Sequence, residues 1–267
     1  LAAPVLFMVV PFLYLLGSQL GAQMAPVAAV LAAFATGLMT PVLDESDARL
    51  QWALPALALL VGLGCLFTGT TGGTDAAHPR TYDLSYSLNG DSGQAHWLTF
   101  EGPNAVTAAL FPSQQSEYVP ARQHVPVYTE RSRIRQAAAP AQPLAAPEAS
   151  VLEDRVQDGV RHLTLQVRSP RGASELLFLS TDLALLEASV GGQVAIKGQQ
   201  LQLRYVQPPA GGIRLDLKLK AGAPFKLQVT DHTYGLPAAI APQVPSGWMP
   251  RNSYYVDSTF VTRTWTY

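Results

Sequence analysis

The residues able to do proton, metal or nucleophile chemistry are few and scattered. Histidines occur at His78, His96, His124, His162 and His232. None lies three or four residues from another, so no helix or strand segment lets two of them grip one zinc ion locally. None stands two residues before an aspartate. Cys65 is the only cysteine, which excludes disulfide frameworks and multi-cysteine zinc sites. No Gly-x-Ser-x-Gly elbow occurs, nor a phosphate-cradling Gly-x-x-x-x-Gly-Lys, and Gly62-Leu63-Gly64 sits in an apolar run where small residues serve close packing. Asp231-His232 has the composition of part of a catalytic pair. Neighbours on a strand point to opposite faces and cannot share a proton directly, so the expectation there is a turn after the strand around Phe225. Arg131, Arg133 and Arg135 alternate as a solvated basic strand or loop would. No catalytic, cofactor-binding or metal-ligating residue is assigned in this chain.

The elements that would position such residues fall into two parts. Among 267 residues only 14% are charged, against roughly a quarter in an ordinary soluble domain. No charged residue occurs from Leu1 to Leu43 or from Leu50 to Thr74. Runs of that length suit membrane crossing. Residues 1–67 are therefore expected to be a transmembrane region of three helices, at about Ala2–Gly17, Met24–Leu43 and Leu50–Phe67. Pro4 and Pro11 are tolerable in a span whose neighbours satisfy the freed carbonyls, and Trp52 suits an interfacial depth. Arg49 and Arg80 flank the third run on opposite sides, so charge does not orient it. The formal net charge of −1 gives no basic field for nucleic acid, which is excluded as a partner.

Thr68-Gly69-Thr70-Thr71-Gly72-Gly73-Thr74 changes the composition abruptly, and residues 68–80 read as a linker. Beyond it the period is two. Tyr82, Leu84, Tyr86 and Leu88 alternate with Asp83, Ser85 and Ser87, and Asn89-Gly90-Asp91 supplies the turn of a hairpin whose second run spans Gln94 to Glu101. The alternation recurs at Leu163, Leu165 and Val167, at Leu201, Leu203 and Tyr205, at Ile213, Leu215, Leu217 and Leu219, and at Phe225, Leu227 and Val229. Residues 81–267 are thus expected to form an antiparallel β-sandwich, with Leu165, Leu203, Leu215, Leu217 and Leu227 facing its core and Lys218 its wet face. From 112 to 150 the periodicity lapses amid Pro112, Pro120, Pro126, Pro140, Pro143 and Pro147. That segment is expected to be a proline-rich surface excursion or partly mobile.

The C-terminus carries a resemblance. Val229-Thr230-Asp231-His232-Thr233-Tyr234-Gly235-Leu236-Pro237, the proline-rich stretch to Pro250, and Asp257-Ser258-Thr259-Phe260-Val261-Thr262-Arg263-Thr264-Trp265 resemble the tail of bacterial membrane-bound M28-family zinc peptidases, relatives of the endoplasmic reticulum and vacuolar membrane metallopeptidases. In that family a zinc-exopeptidase domain precedes several spans and a β-rich extracytoplasmic domain. The resemblance implies a multi-pass protein of the bacterial inner membrane with the β-domain in the periplasm. It also implies as partners the lipid bilayer, an N-terminal peptidase domain of the same protein and its peptide substrate. The family's dinuclear site uses a His-x-Asp motif and a Glu-Glu pair. Neither occurs here, so zinc is expected in the peptidase domain and no cofactor in this chain. The reading is a non-catalytic anchor and β-domain portion of an M28-like aminopeptidase. Its alternative is a non-enzymatic, membrane-anchored binding or assembly module.

Overall fold

The computed structural model describes residues 79–198 and 200–267, together with Leu60. The chain divides between Gly73 and Thr74 into two units, and the described residues, Leu60 aside, belong to the second.

Alternating sequence and turn residues yield fifteen strands among the described residues, with one 3-10 turn at Ala121–Gln123. They are β1 (Arg80–Tyr82), β2 (Ser85–Asn89), β3 (Ala95–Thr99), β4 (Ser116–Pro120), β5 (Arg133–Ala139), β6 (Glu148–Gln157), β7 (Val160–Arg168) and β8 (Glu175–Ser180). After these come β9 (Leu185–Val190), β10 (Gln193–Lys197), β11 (Leu201–Val206), β12 (Ile213–Lys220), β13 (Lys226–Tyr234), β14 (Trp248–Pro250) and β15 (Ser258–Thr266). They form an eight-stranded sheet in the order β11-β8-β13-β15-β2-β3-β5-β4, a five-stranded sheet β10-β9-β12-β7-β6, and the pair β1-β14.

This all-β architecture corrects the expected fold class of three membrane helices followed by a β-sandwich. Among the described residues no helix is long and apolar enough to cross a membrane, and the multi-pass inner-membrane placement is corrected with it. The finding concerns helices alone. The spans expected over residues 2–67 lie, Leu60 apart, outside the described residues. A charge-free run reports hydrophobicity and length, and these alone do not distinguish a membrane helix from other apolar structure.

The five-stranded sheet packs on one end of the eight-stranded sheet. Register explains how: Ile213 faces Val167, Leu215 faces Leu165 and Leu217 faces Leu163 across the β12–β7 ladder. Residues directly opposite share a face, and this set joins Leu176, Phe178, Leu201, Phe225, Leu227 and Val229 in one buried cluster. Leu203 packs against that cluster while only partly buried. The intervening Asp216 and Lys218 oppose Thr164 and His162 on the outer face. Gly212 makes the tightest approach, with φ of 83° and its position so close to Val167 that an added Cβ would lie 2.4 Å from the carbonyl oxygen.

A second cluster, around Tyr82, Leu84, Tyr86, Trp97 and Val261, covers one face of the other end of the large sheet. A third, with Leu98, Ile134, Leu177, Tyr255 and Phe260, covers its opposite face. Both faces of β2 are therefore shielded, and Ser85 and Ser87 are as buried as Tyr86 and Leu88. The β2–β3 turn is held by Asn89, whose Oδ1 accepts hydrogen bonds from the amides of Asp91 (2.9 Å) and Ser92 (3.1 Å).

Three smaller expectations are also corrected. Segment 112–150 contains β4, β5 and the start of β6, and β5 pairs with both β3 and β4. Strand pairing is not wholly antiparallel, because β15 runs parallel to β2 and β1 parallel to β14. Finally, Asp231 and His232 lie within β13, which continues to Tyr234 before Gly235 turns the chain at φ of 86°.

Candidate functional site

β13 carries a polar cluster on each of its faces. On one, Asp231 is wholly buried and receives hydrogen bonds from Ser169 Oγ (2.6 Å) and Arg171 Nη2 (2.5 Å). Arg171 also donates to Thr233 Oγ1 at 3.2 Å. The turn Ser169–Gly172 is thus fastened to the strand by a charge-assisted pair that keeps a buried carboxylate satisfied.

The other face holds His232, also wholly buried. It pairs in register with Glu175 on β8 and with Phe260 on β15. Its Nε2 lies 2.9 Å from Ser258 Oγ, and its Nδ1 lies 3.5 Å from Glu175 Oε2. Glu175, 2% exposed, is paired with Arg204 and accepts a hydrogen bond from Tyr255 at 3.1 Å. The imidazole stacks on Phe260 at 5.0 Å and meets Tyr234 and Tyr255 edge-on. Burial pushes the His232 pKa down to about 4, against the pull of the Glu175 carboxylate. The Tyr255 hydroxyl is pushed up, first by burial and then by Glu175, and stays a donor.

Ser258, His232 and Glu175 have the composition and order of an acyl-transfer triad. The serine hydroxyl has one proton and two acceptors within reach, His232 Nε2 and the carbonyl of Val256 at 3.1 Å. Donation to His232 places the imidazole proton on Nδ1, toward Glu175, which is the tautomer the carboxylate favours. Access is what the arrangement lacks: Ser258 and His232 are both fully enclosed, and Tyr255 closes over the ring at 5.1 Å. A nucleophile must reach a substrate carbonyl to react. Here the three residues are shut inside the sheet, and His232 Nδ1, 3.5 Å from Glu175 Oε2, is left without a hydrogen-bond partner.

His124 makes a second such knot. Its Nδ1 lies 3.1 Å from Ser87 Oγ and its Nε2 2.7 Å from Gln136 Oε1, while Gln136 Nε2 donates to Glu117 at 2.7 Å. Burial again lowers the imidazole pKa to about 4. His96 meets His124 edge to face at 5.4 Å. His162 stands on the outer face of the small sheet, and His78 lies outside the described residues. Arg133 and Arg135 lie in β5, with Arg135 stacked 5.2 Å from the ring of Tyr118, and Arg131 lies in the exposed turn before it.

Among the described residues no group of three or more His, Cys, Asp or Glu side chains could hold a metal ion. Sequence spacing could not have announced the Glu175 cluster, because its members come from β8, β11, β13, β15 and the crossing before β15. The nearest signal was Glu175 itself, a lone carboxylate opening the apolar run Glu175-Leu176-Leu177-Phe178-Leu179. No family model and no curated protein matches the chain.

Proposed function

We propose that the β-domain is the non-catalytic C-terminal portion of an M28-like zinc aminopeptidase, acting as an accessory domain to a peptidase unit that carries the metal. What supports this reading is the place of the residues that carry the resemblance. Val229–Pro237 supplies the end of β13, and Asp257–Trp265 supplies nearly all of β15. These two strands pair along their whole length at the centre of the large sheet, and they are cross-linked by Thr230 with Thr262 at 2.7 Å and by His232 with Ser258 at 2.9 Å. A sequence motif with that role is one a fold requires, which suits a domain that persists beside a catalytic unit without sharing its chemistry. Metal-activated water would then belong to the peptidase unit.

Reading the coding sequence upstream of Leu1 tests this reading. A His-x-Asp motif followed by a Glu-Glu pair is the expected result. An upstream sequence with no such motifs would overturn it in favour of a non-enzymatic binding or assembly module.

A further inference from the structure

β6 ends the five-stranded sheet, so among the described residues one side of its backbone has no partner strand. Such an edge offers a row of N–H and C=O groups to any extended chain. The edge is not uniform. Pairing with β7 shifts register between Val151 and Glu153, leaving Leu152 as the extra residue of a bulge. Bulges twist an edge away and stop open-ended addition, and this one divides β6 into two regular portions, Glu153–Gln157 and Glu148–Val151.

Only the Glu148–Val151 portion borders a cleft of about 300 Å³, whose lining includes Glu148, Ala149, Ser150, Arg168, Arg263 and Trp265. Ala149 opposes Val167, whose side chain is in the core, so it faces inward between the sheets. On β15, Arg263 and Trp265 share the face of buried Val261. A chain added to β6 would therefore turn its inward side chains toward Arg263 and Trp265.

The two arginines of the cleft are not equivalent. Arg168 is held by Glu148 at 2.7 Å. Arg263 lies over the Trp265 ring at 5.5 Å, and its Nε is 3.9 Å from Asp91, outside hydrogen-bond distance. Asp91 instead accepts the backbone amide of Thr264 at 2.9 Å. Among the described residues the Arg263 side chain makes no hydrogen bond, and its one carboxylate neighbour, Asp91, stands off at 3.9 Å in a loose ion pair, so the guanidinium N–H groups are open to a carboxylate, the partner its planar fork fits best.

We propose that an extended peptide adds to β6 at Glu148–Val151 as a sixth strand of the small sheet and seats an acidic side chain on Arg263 beside Trp265. Strand addition supplies sequence-independent affinity, and the pocket for one alternate side chain supplies selectivity. The occupant is a polypeptide because only a backbone matches the alternating donors and acceptors of the edge, and an acidic one because the Arg263 guanidinium, only loosely paired with Asp91, holds no hydrogen-bonded acceptor. The proposal goes beyond the accessory-domain reading and does not depend on it, since the site needs no peptidase unit.

The test is fluorescence anisotropy with a labelled peptide of about seven residues, alternating Thr and Val around a central Asp and blocked at both ends. Saturable binding is expected, weakened about tenfold by Asp→Asn in the peptide and equally by Arg263→Gln in the protein, with no further loss when the two are combined. Hydrogen exchange should slow at the outward amides of Glu148–Val151 when peptide is bound. Absence of binding, equal affinity for the Asp and Asn peptides, or protection confined to another strand would overturn the proposal. So would binding that requires a free C-terminal carboxylate, or self-association through β6 that excludes the peptide.

Discussion

His232 and His124 face one physical difficulty, an imidazole enclosed where its cation cannot be hydrated. Each has a pKa of about 4 in the fold against an ordinary value of 6.5. The sign follows from which state takes the proton. Above about pH 6.5 neither the folded nor the unfolded chain is protonated at these rings, and stability is complete. Between about 6.5 and about 4 the unfolded chain binds protons that the folded chain refuses, so stability falls with falling pH, and below about 4 this loss levels off. Urea unfolding followed from about pH 7 to about pH 4 should show a falling midpoint, and His124→Gln should flatten the slope even if it lowers the midpoint throughout. A slope unchanged in that variant would mean His124 is protonated in the fold. Glu175→Ala strands the Tyr255 hydroxyl and frees Arg204, and calorimetry should show a loss of about 1–3 kcal/mol. These residues were only partly legible in the sequence. Asp231-His232 is visible as a pair, and its opposite-face geometry follows from strand periodicity, yet the partners Arg171, Glu175 and Ser258 are set by register alone.

At the scale of elements, β7, β12 and β13 show why alternation is readable where one face is wet. Leu217 is 2% exposed in the shared core, whereas Lys218, next to it, points outward to Glu187 at 2.8 Å. Leu217→Ala should cost about 2–5 kcal/mol in chemical denaturation, and Lys218→Ala should leave the midpoint essentially unmoved. The reverse outcome would mean that β12 is assigned to the wrong face. Gly212 offers a sharper check of the β12–β7 approach: its left-handed φ and the crowding by Val167 make Gly212→Ala destabilising by about 1–3 kcal/mol, read by the same method. The 112–150 segment was unreadable for a reason visible in its prolines. Pro120 closes β4, Pro140 follows β5 and Pro147 precedes β6, positions where a missing N–H costs no ladder bond. Proline there marks strand ends rather than an absence of strands. β2 misleads in the other direction, since Ser85 and Ser87 read as a wet face but lie beneath the third core cluster.

For the molecule as a whole, the large sheet is assembled from both ends of the described chain, with the C-terminal β15 laid between β13 and the N-terminal β2. That arrangement draws residues 169–175, 204, 231–232 and 255–258 together without any short-range motif, so no pass along the sequence could have found them. It also puts the segments that resemble the peptidase tail into the centre of the sheet, where their polar groups hold strands together. The accessory-domain proposal puts metal and turnover in a peptidase unit outside this β-domain. Metal content by mass spectrometry, taken with an aminopeptidase assay on the same purified chain, is the measurement that decides it. A dinuclear site needs clustered carboxylate and imidazole ligands holding ions roughly 3.5–4 Å apart, and among the described residues neither His232 nor His124 belongs to a group of three or more such side chains. No stoichiometric zinc and no turnover are expected. Stoichiometric zinc together with aminoacyl cleavage, lost on chelation and restored by zinc, would contradict the proposal.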